Sequence, residues 1–120
     1  MNLTTLPERF AVWKLAPDTP LPTPDFFAAV RTTEELSLVT SEALAPKSSD
    51  TCEPGWRAIK VQGPLDFSLV GILAALAAPL ARAGVSIFAI STFDTDYLLV
   101  KEDQLSDAIA ALQAEGHTFS

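Results

Sequence analysis

Apolar positions follow two different periods in the second half of the chain. Three runs rich in β-branched and aromatic residues predict strands, the second of them a central one: residues 56–62, 85–92 and 97–101. Two longer segments carry an apolar residue every three or four positions and predict helices: residues 67–84 and 102–116. With "HTFS" as a last strand, the order strand–helix–strand–strand–helix–strand is the ferredoxin-like βαββαβ pattern of the α+β class.

The first half has shorter apolar runs separated by proline-rich loops. "FAVWKL" (residues 10–15) predicts a strand, and the alternation in "ELSLVTSE" (residues 35–42) predicts another. Residues 26–32 fit a strand or a short helix; we favour the strand, which would pair with residues 35–42 in a hairpin. The four prolines of "PDTPLPTP" exclude a full helix there. We therefore expect a degenerate half of the same kind, with its first helix lost, in residues 1–54, and a complete unit in residues 55–120.

The acidic composition narrows the class of partner. The 120 residues carry a formal net charge of −7 and are 48% hydrophobic, so a well-filled core is expected, and nucleic acid and anionic membrane surfaces are poor partners. Segment 65–83 is long enough to resemble a membrane span, but its alanines, Asp66, Pro79 and Arg82 indicate a helix buried on a sheet. The single cysteine, Cys52, permits no intramolecular disulfide and favours a cytoplasmic location.

Two aspartates in "ISTFDTDYLLV" stand between predicted strands and are the first candidates for chemistry. Asp94 and Asp96 could hold a cation or act as an acid and a base. The further oxygen ligands of a calcium loop, a His–x–Glu motif and a nucleophile are all missing nearby. A β-turn is the structural alternative, because aspartate is common in turns. We interpret Asp94 as the turn residue and Asp96, at the mouth of the next strand, as a candidate ligand contact.

Gly71 is the second candidate, because a glycine inside an Ala/Leu helix costs about 1 kcal/mol relative to alanine. Close packing on the sheet would explain it, and so would space for a ligand. In a βαββαβ unit the helix runs back across the sheet, so residues 91–96 return to the edge that holds residues 63–71. There Asp96 could hold an ammonium group, and free N–H groups at the helix start could hold a carboxylate. A free α-amino acid requires both.

Other residues are interpreted structurally. Trp13 and Trp56 are expected in the core or at an interface, since large aromatic side chains anchor both. Arg31, in "VRTTEE", could neutralise an acidic ligand group, but a solvated hairpin end is the favoured interpretation. Cys52, in a segment rich in proline, serine and aspartate, is interpreted as an incidental loop thiol.

The segment "GWRAIKVQGPLDFSLVGILAALAAPLARAGVSIFAISTFDTDYLLVKED" resembles the ACT-domain family, the small amino-acid-binding regulatory modules. It is similar in particular to the bacterial stand-alone tandem-ACT proteins related to the eukaryotic cytosolic arginine sensors called CASTOR. The resemblance covers essentially the second half. "FAVWKL" and "ELSLVTSE" resemble the degenerate first ACT half of the same proteins more weakly, and no sequence repeat proves a duplication.

This resemblance implies a ligand site lined by five residues: Gly71, Ile72, Thr92, Phe93 and Asp96. In the arginine sensors an acidic residue lies two positions before the helix glycine, where this chain has Leu69. The resemblance therefore leaves a different or smaller amino acid open as the ligand. The family's ligand lies between two ACT units, which implies that the first half or a second chain completes the pocket.

These patterns together predict a non-catalytic regulatory protein that binds a small molecule. An amino acid is the favoured ligand. We expect allosteric output through the pairing of ACT units, and a homodimer, because ACT sheets pair side by side and an exposed sheet edge needs covering. No cofactor and no metal is predicted. Two alternatives stay open: a structural or protein-interaction module with a vestigial pocket, and a metal-dependent enzyme that uses Asp94 and Asp96.

Overall fold

The computed structural model describes residues 1–22, 27–44, 51–63 and 71–120. The described strands are β1 (Asn2–Leu15), β2 (Ala28–Arg31), β3 (Leu36–Ser41), β4 (Cys52–Val61), β5 (Phe88–Ser91), β6 (Asp96–Lys101) and β7 (Thr118–Phe119). The helices are α1 (Ile72–Arg82), α2 (Leu105–Ala114) and the two short 3₁₀ helices Glu42–Leu44 and Glu102–Gln104. The chain forms two compact units, a larger one of Met1–Pro7 with Arg57–Ser120 and a smaller one of Glu8–Trp56.

The larger unit has the predicted βαββαβ order, β4–α1–β5–β6–α2–β7, and adds the first residues of β1 to it. Its described strands lie in the order β7–β1–β4–β6–β5. β7 pairs in parallel with β1, at Asn2↔Thr118 and Leu3↔Phe119. The α+β class and the order of elements are therefore confirmed, whereas the place of the last strand is set by a pairing that no local pattern specifies.

The core of this unit lies between the sheet and the two helices. Alternate strand residues face it, among them Ile59 and Val61 of β4 and Leu98 and Val100 of β6, all fully buried. The helices contribute residues four apart: Leu76 and Leu80 from α1, and Ala108 and Leu112 from α2. Burying one large aliphatic side chain of this kind contributes about 1.5–3 kcal/mol, so this layer is the main source of stability for the unit.

Helix α1 differs from its prediction at its first turn. It begins at Ile72, and Gly71 is its N-cap residue, with φ 79°. Gly71 therefore does not lie inside the helix, and that prediction is wrong. Residues 64–70 lie outside the described residues, and with them the predicted helical residues before Gly71 and the position of Leu69. Neither α1 nor α2 is long and apolar enough to cross a membrane.

Strand β5 is shorter than the predicted run 85–92 and is not a central strand. It pairs with β6, from Phe88↔Leu99 to Ser91↔Asp96, and lies at the end of the order of the described strands. The prediction of a central strand is wrong because a continuous apolar run indicates only that the side chains of a strand are buried. The number of neighbouring strands depends on pairings elsewhere in the chain.

In the smaller unit the described strands lie in the order β2–β3–β1–β4, of which β4 contributes its first residues. β3 pairs with β2 as far as Arg31↔Leu36 and with β1 as far as Leu15↔Leu36. The three strands predicted for this half are thereby confirmed, although residue 26 lies outside the described residues. No α-helix occurs among the described residues of this unit. The aromatic rings of Phe10 and Phe27 lie 4.8 Å apart, between centroids, and contribute to its apolar interior.

A hairpin and the turn of helix after it occur twice, sixty residues apart. The starting residues are Ala28 and Phe88 for the first strand, Leu36 and Asp96 for the second, and Glu42 and Glu102 for the 3₁₀ helix. The corresponding elements have equal lengths of four, six and three residues. The structure therefore contains a local repeat that the sequence alone did not reveal.

Candidate functional site

A four-residue turn, residues 92–95, joins β5 to β6 in the larger unit. The backbone N–H of Thr92 donates to the carbonyl of Thr95 at 2.8 Å. The Thr92 hydroxyl accepts from the N–H of Thr95 at 3.2 Å and donates to the Thr95 carbonyl at 3.1 Å. The hydrogen bonds that close this turn therefore come from two threonines, while Asp94, the predicted turn residue, lies exposed between them.

Thr95 is a structural residue that sequence reasoning missed. Its side chain is only 7% exposed, and its hydroxyl donates to the carbonyl of Val61, the last residue of β4. This bond ties the hairpin turn to the exit of β4, where Gly63 follows. The predicted return of the hairpin to that edge of the unit is therefore present. The sequence signal for this role was a β-branched residue with a hydroxyl group at the start of a strand. This signal is weaker than that of the two neighbouring carboxylates.

Asp96 is the first residue of β6 and is half-buried. Its Oδ1 accepts a hydrogen bond of 2.6 Å from the hydroxyl of Ser91, the last residue of β5 and its cross-strand neighbour. This hydrogen bond orients the Asp96 side chain toward its cross-strand neighbour. A carboxylate can accept several bonds, so Asp96 keeps the capacity to bind a further donor such as an ammonium group. Ser91 was not predicted as part of the site.

Gly71, the residue directly before α1, has no side chain. Its positive φ is a conformation that residues with a Cβ rarely adopt, while an added Cβ would meet no atom of the described residues within 4 Å. Glycine is thus required by the backbone and not by close packing of the helix. The carbonyl of Gly71 accepts the first helical bond, from Ala75 at 2.8 Å. The N–H groups of the first turn have no partner within the helix, and Gly71 has no side chain to cap them.

The other predicted site residues differ in exposure. Ile72 packs partly against the core, as a first helical residue facing the sheet. Phe93, at the tip of the hairpin, is 78% exposed. The structure thus places Thr92, Phe93 and Asp96 on one hairpin and the other two residues at the start of α1. The grouping of all five around one ligand stays a prediction.

Other reactive groups that the structure describes include Cys52 and the acidic side chain of Glu42. The pKa of the Cys52 thiol is raised, first by burial and then by the negative charge of Glu42. The thiol is therefore protonated near neutral pH and is a poor nucleophile. Within the described ranges, no three His, Cys, Asp or Glu side chains are grouped so that they could hold a metal ion.

Comparison with known proteins matches the second half of the chain to one family. The family described as "ACT domain" matches residues 51–114, more than half of the chain. A curated human (Homo sapiens) protein, "Cytosolic arginine sensor for mTORC1 subunit 1", is 46% identical over 59 residues. This alignment covers 48% of the present chain but only 18% of the human protein.

Solved structures resemble the whole chain. Protein Atu0741 from Agrobacterium tumefaciens is 32% identical, with a TM-score of 0.88, and the match covers 99% of this chain and 91% of that one. The ligand-free regulatory subunit of aspartate kinase from Thermus thermophilus is 10% identical, with a TM-score of 0.67, over 94% of this chain and 95% of that one. At this low identity the second likeness shows the fold alone.

The family match and the sensor relative support a regulatory role in which a small ligand is bound. Since the family match spans more than half of the chain, the protein belongs to the ACT domain family.

Proposed function

We propose that this protein reversibly binds a free amino acid and converts that binding into a regulatory output through the pairing of ACT units. The observation that carries the proposal is the Asp96 carboxylate. It is held by Ser91 at the turn that Thr95 ties to the exit of β4. We further propose that residues 1–54 act as a degenerate ACT-like half beside the ACT domain of residues 55–120, in a cytoplasmic homodimer.

Each charged group of an amino acid has a proposed partner. The α-ammonium group binds Asp96, which Ser91 orients by a hydrogen bond in the absence of a ligand. The α-carboxylate binds the N–H groups that follow Gly71 at the start of α1, where the helix dipole favours an anion. Hydrogen bonds to charged groups contribute about 1.5–3 kcal/mol each, so two such contacts provide most of the affinity of a weakly held metabolite.

The residue at position 69 favours a ligand other than arginine. The human relative is named an arginine sensor. The family resemblance implies an acidic residue in such sensors at the position where this chain has Leu69. A leucine provides no charge to pair with a guanidinium group, whose burial without a partner is costly. We propose an amino acid with an uncharged side chain.

Ligand binding is coupled to assembly in this proposal. A ligand that binds only the paired state stabilises it by about 2.7 kcal/mol at a concentration one hundred times its Kd. The outer edge of β5, at the end of the order of described strands, is the edge we propose for pairing with a second copy.

A thermal-shift screen of the twenty amino acids, with and without divalent metals, tests the proposal. One amino acid is expected to raise the Tm of the wild-type protein without metal. Asp96→Asn is expected to abolish this shift because it removes the charge but keeps an acceptor for Ser91. Asp94→Asn, two residues away and exposed, is the matched control and is expected to retain the shift.

The other outcomes identify the alternatives. A shift produced by a metal alone would favour a metal-dependent enzyme at the two aspartates. No shift with any amino acid would favour a protein-interaction module. A shift that persists in Asp96→Asn would show that an amino acid binds elsewhere and would overturn the proposed site.

A further inference from the structure

The smaller unit contains an apolar pocket of about 260 Å³. Its floor is one face of two paired strands, formed by Trp13 and Leu15 of β1 and by Leu38 and Thr40 of β3. These are alternate residues of each strand, so their side chains project to the same side of the sheet. Pro20 and Pro22, in the loop after β1, and Leu44 of the first 3₁₀ helix form the walls.

The repeat explains why space is left at this position. Leu98 and Val100 of β6 correspond to Leu38 and Thr40 of β3, sixty residues earlier. In the larger unit these positions belong to the core that α1 and α2 complete. The described part of the smaller unit has no α-helix to fill the same face, and the described loop residues that line it are Pro20 and Pro22.

The walls of the pocket are fixed without a ligand. The guanidinium group of Arg31 donates to the carbonyl oxygens of Pro17 and, at 2.8 Å, of Thr19, and so holds the loop after β1. The indole Nε1 of Trp13 donates to the Thr40 hydroxyl at 2.9 Å, which orients the largest side chain of the floor. Arg31 therefore has a defined role in addition to lying at the hairpin end. Preformed walls lower the ordering cost of binding.

The lining decides the chemistry of the occupant. None of the described residues that line the pocket is charged, so the lining offers no ionic partner to the charged groups of a zwitterionic amino acid. The Thr40 hydroxyl, 2% exposed, donates to the Ser41 carbonyl at 3.0 Å and accepts from Trp13. A hydroxyl has two acceptor positions, so one remains. The pocket thus offers apolar surface and a single acceptor.

We propose that this pocket is a second binding site, for a small neutral aromatic molecule that carries at most one hydroxyl donor. An apolar cavity of about 150 Å³ is enough to bind benzene, so the larger pocket accepts a substituted ring. The ring packs against Trp13 and the prolines of the loop, and its hydroxyl donates to Thr40. This site lies within the smaller unit and does not depend on the amino-acid site proposed for the larger unit.

Titration of the full chain with phenol, followed through the indole N–H signal of Trp13 by NMR, tests this proposal. Trp56→Phe assigns the signal. A saturable shift is expected with phenol, and a weaker affinity with toluene, which lacks the hydroxyl. L-phenylalanine, which carries the same ring on a charged backbone, is expected to leave the signal unchanged.

Leu44→Trp is expected to weaken phenol binding at least tenfold, because it fills the pocket from a residue that is 51% exposed. Val30→Trp is the matched control, since Val30 is 61% exposed in the same unit and does not line the pocket. If Leu44→Trp does not fold, Pro22→Trp fills the pocket from another lining residue. Asp96→Asn is expected to bind phenol normally, which separates this site from the amino-acid site.

Two results would overturn the proposal. The first is the absence of a saturable change at Trp13 with phenol and with toluene. The second is equal phenol affinity in the wild-type protein and in a folded pocket-filling variant. A response to L-phenylalanine at Trp13 that the pocket-filling variant loses would overturn the assigned ligand class.

Discussion

The hairpins β2–β3 and β5–β6 have the same backbone plan and few side chains in common. Between residues 31–44 and 91–104 the identical pairs are Thr32/Thr92, Leu38/Leu98 and Glu42/Glu102. In each pair the two residues have related structural roles. The threonine closes the turn, the leucine is buried, and the glutamate binds a group on β4. The side chains that persist are those that the shared backbone needs.

The differences separate structural residues from candidate functional ones. Thr32 closes its turn as Thr92 does: its backbone N–H donates to the Glu35 carbonyl at 2.9 Å, and its hydroxyl accepts from the Glu35 N–H at 3.1 Å. Thr92 thus has a structural explanation that needs no ligand. At the position of Asp96 the smaller unit has Leu36, which is fully buried. The Ser91–Asp96 pair therefore occurs in the hairpin of the larger unit and not in that of the smaller unit. It is the stronger candidate for a functional role.

The largest expected difference concerns the leucine pair. Leu98→Ala removes a side chain from the core completed by α1 and α2, and we expect a loss of about 3–4 kcal/mol. Leu38→Ala only enlarges an existing pocket, so we expect a smaller loss of about 2 kcal/mol. Urea unfolding measured by circular dichroism gives both values. A greater loss of unfolding free energy for Leu38→Ala would contradict the view that packing against α1 and α2 makes Leu98 the more stabilising residue.

The threonine pair should behave alike. Thr32→Val and Thr92→Val each keep the shape of the side chain but remove its hydrogen bonds to the turn. We expect each to lower the free energy of unfolding by about 0.5–1.5 kcal/mol. In the amino-acid screen, Thr92→Val is expected to leave the ligand-induced shift largely intact. Loss of that shift in a stable Thr92→Val protein would make Thr92 a ligand contact as well as a turn residue.

The glutamate pair gives the smallest expected effect. Glu42 accepts from the N–H of Gly55 at 2.8 Å, and Glu102 pairs with the guanidinium group of Arg57 at 3.5 Å. The charge of Glu42 is the lesser cause, after burial, of the raised Cys52 pKa. Glu42→Gln is therefore expected to lower that pKa and to increase slightly the rate at which iodoacetamide alkylates the thiol at pH 8.

Glu102→Gln is the matched control for the alkylation rate, because Glu102 does not contribute to the raised pKa of Cys52. An equal rate increase in both variants would point to general loosening of the chain. No change in Glu42→Gln would mean that burial alone raises the pKa of the thiol.

Local patterns predicted the elements well where one period dominated. The alternation of residues 35–42 and the helical spacing of residues 102–116 correspond to β3 and α2, because the direction of side chains follows the backbone period. The candidate site was predicted less completely. Asp96 was chosen for its charge, while Ser91 and Thr95, which hold the carboxylate and the turn, were missed. Their roles depend on partners across the hairpin and on β4.

The sequence by itself determined the family, the α+β class and the order of strands and helices. These depend on motifs and on periods within single segments. Only the tertiary structure decided that β7 pairs with β1, that β5 ends the order of described strands, and that Gly71 caps α1. It also decided that a pocket remains over β3 where the helices cover β6. The physical reason is that strand pairing and cavity formation depend on residues far apart in the chain, which no local period records.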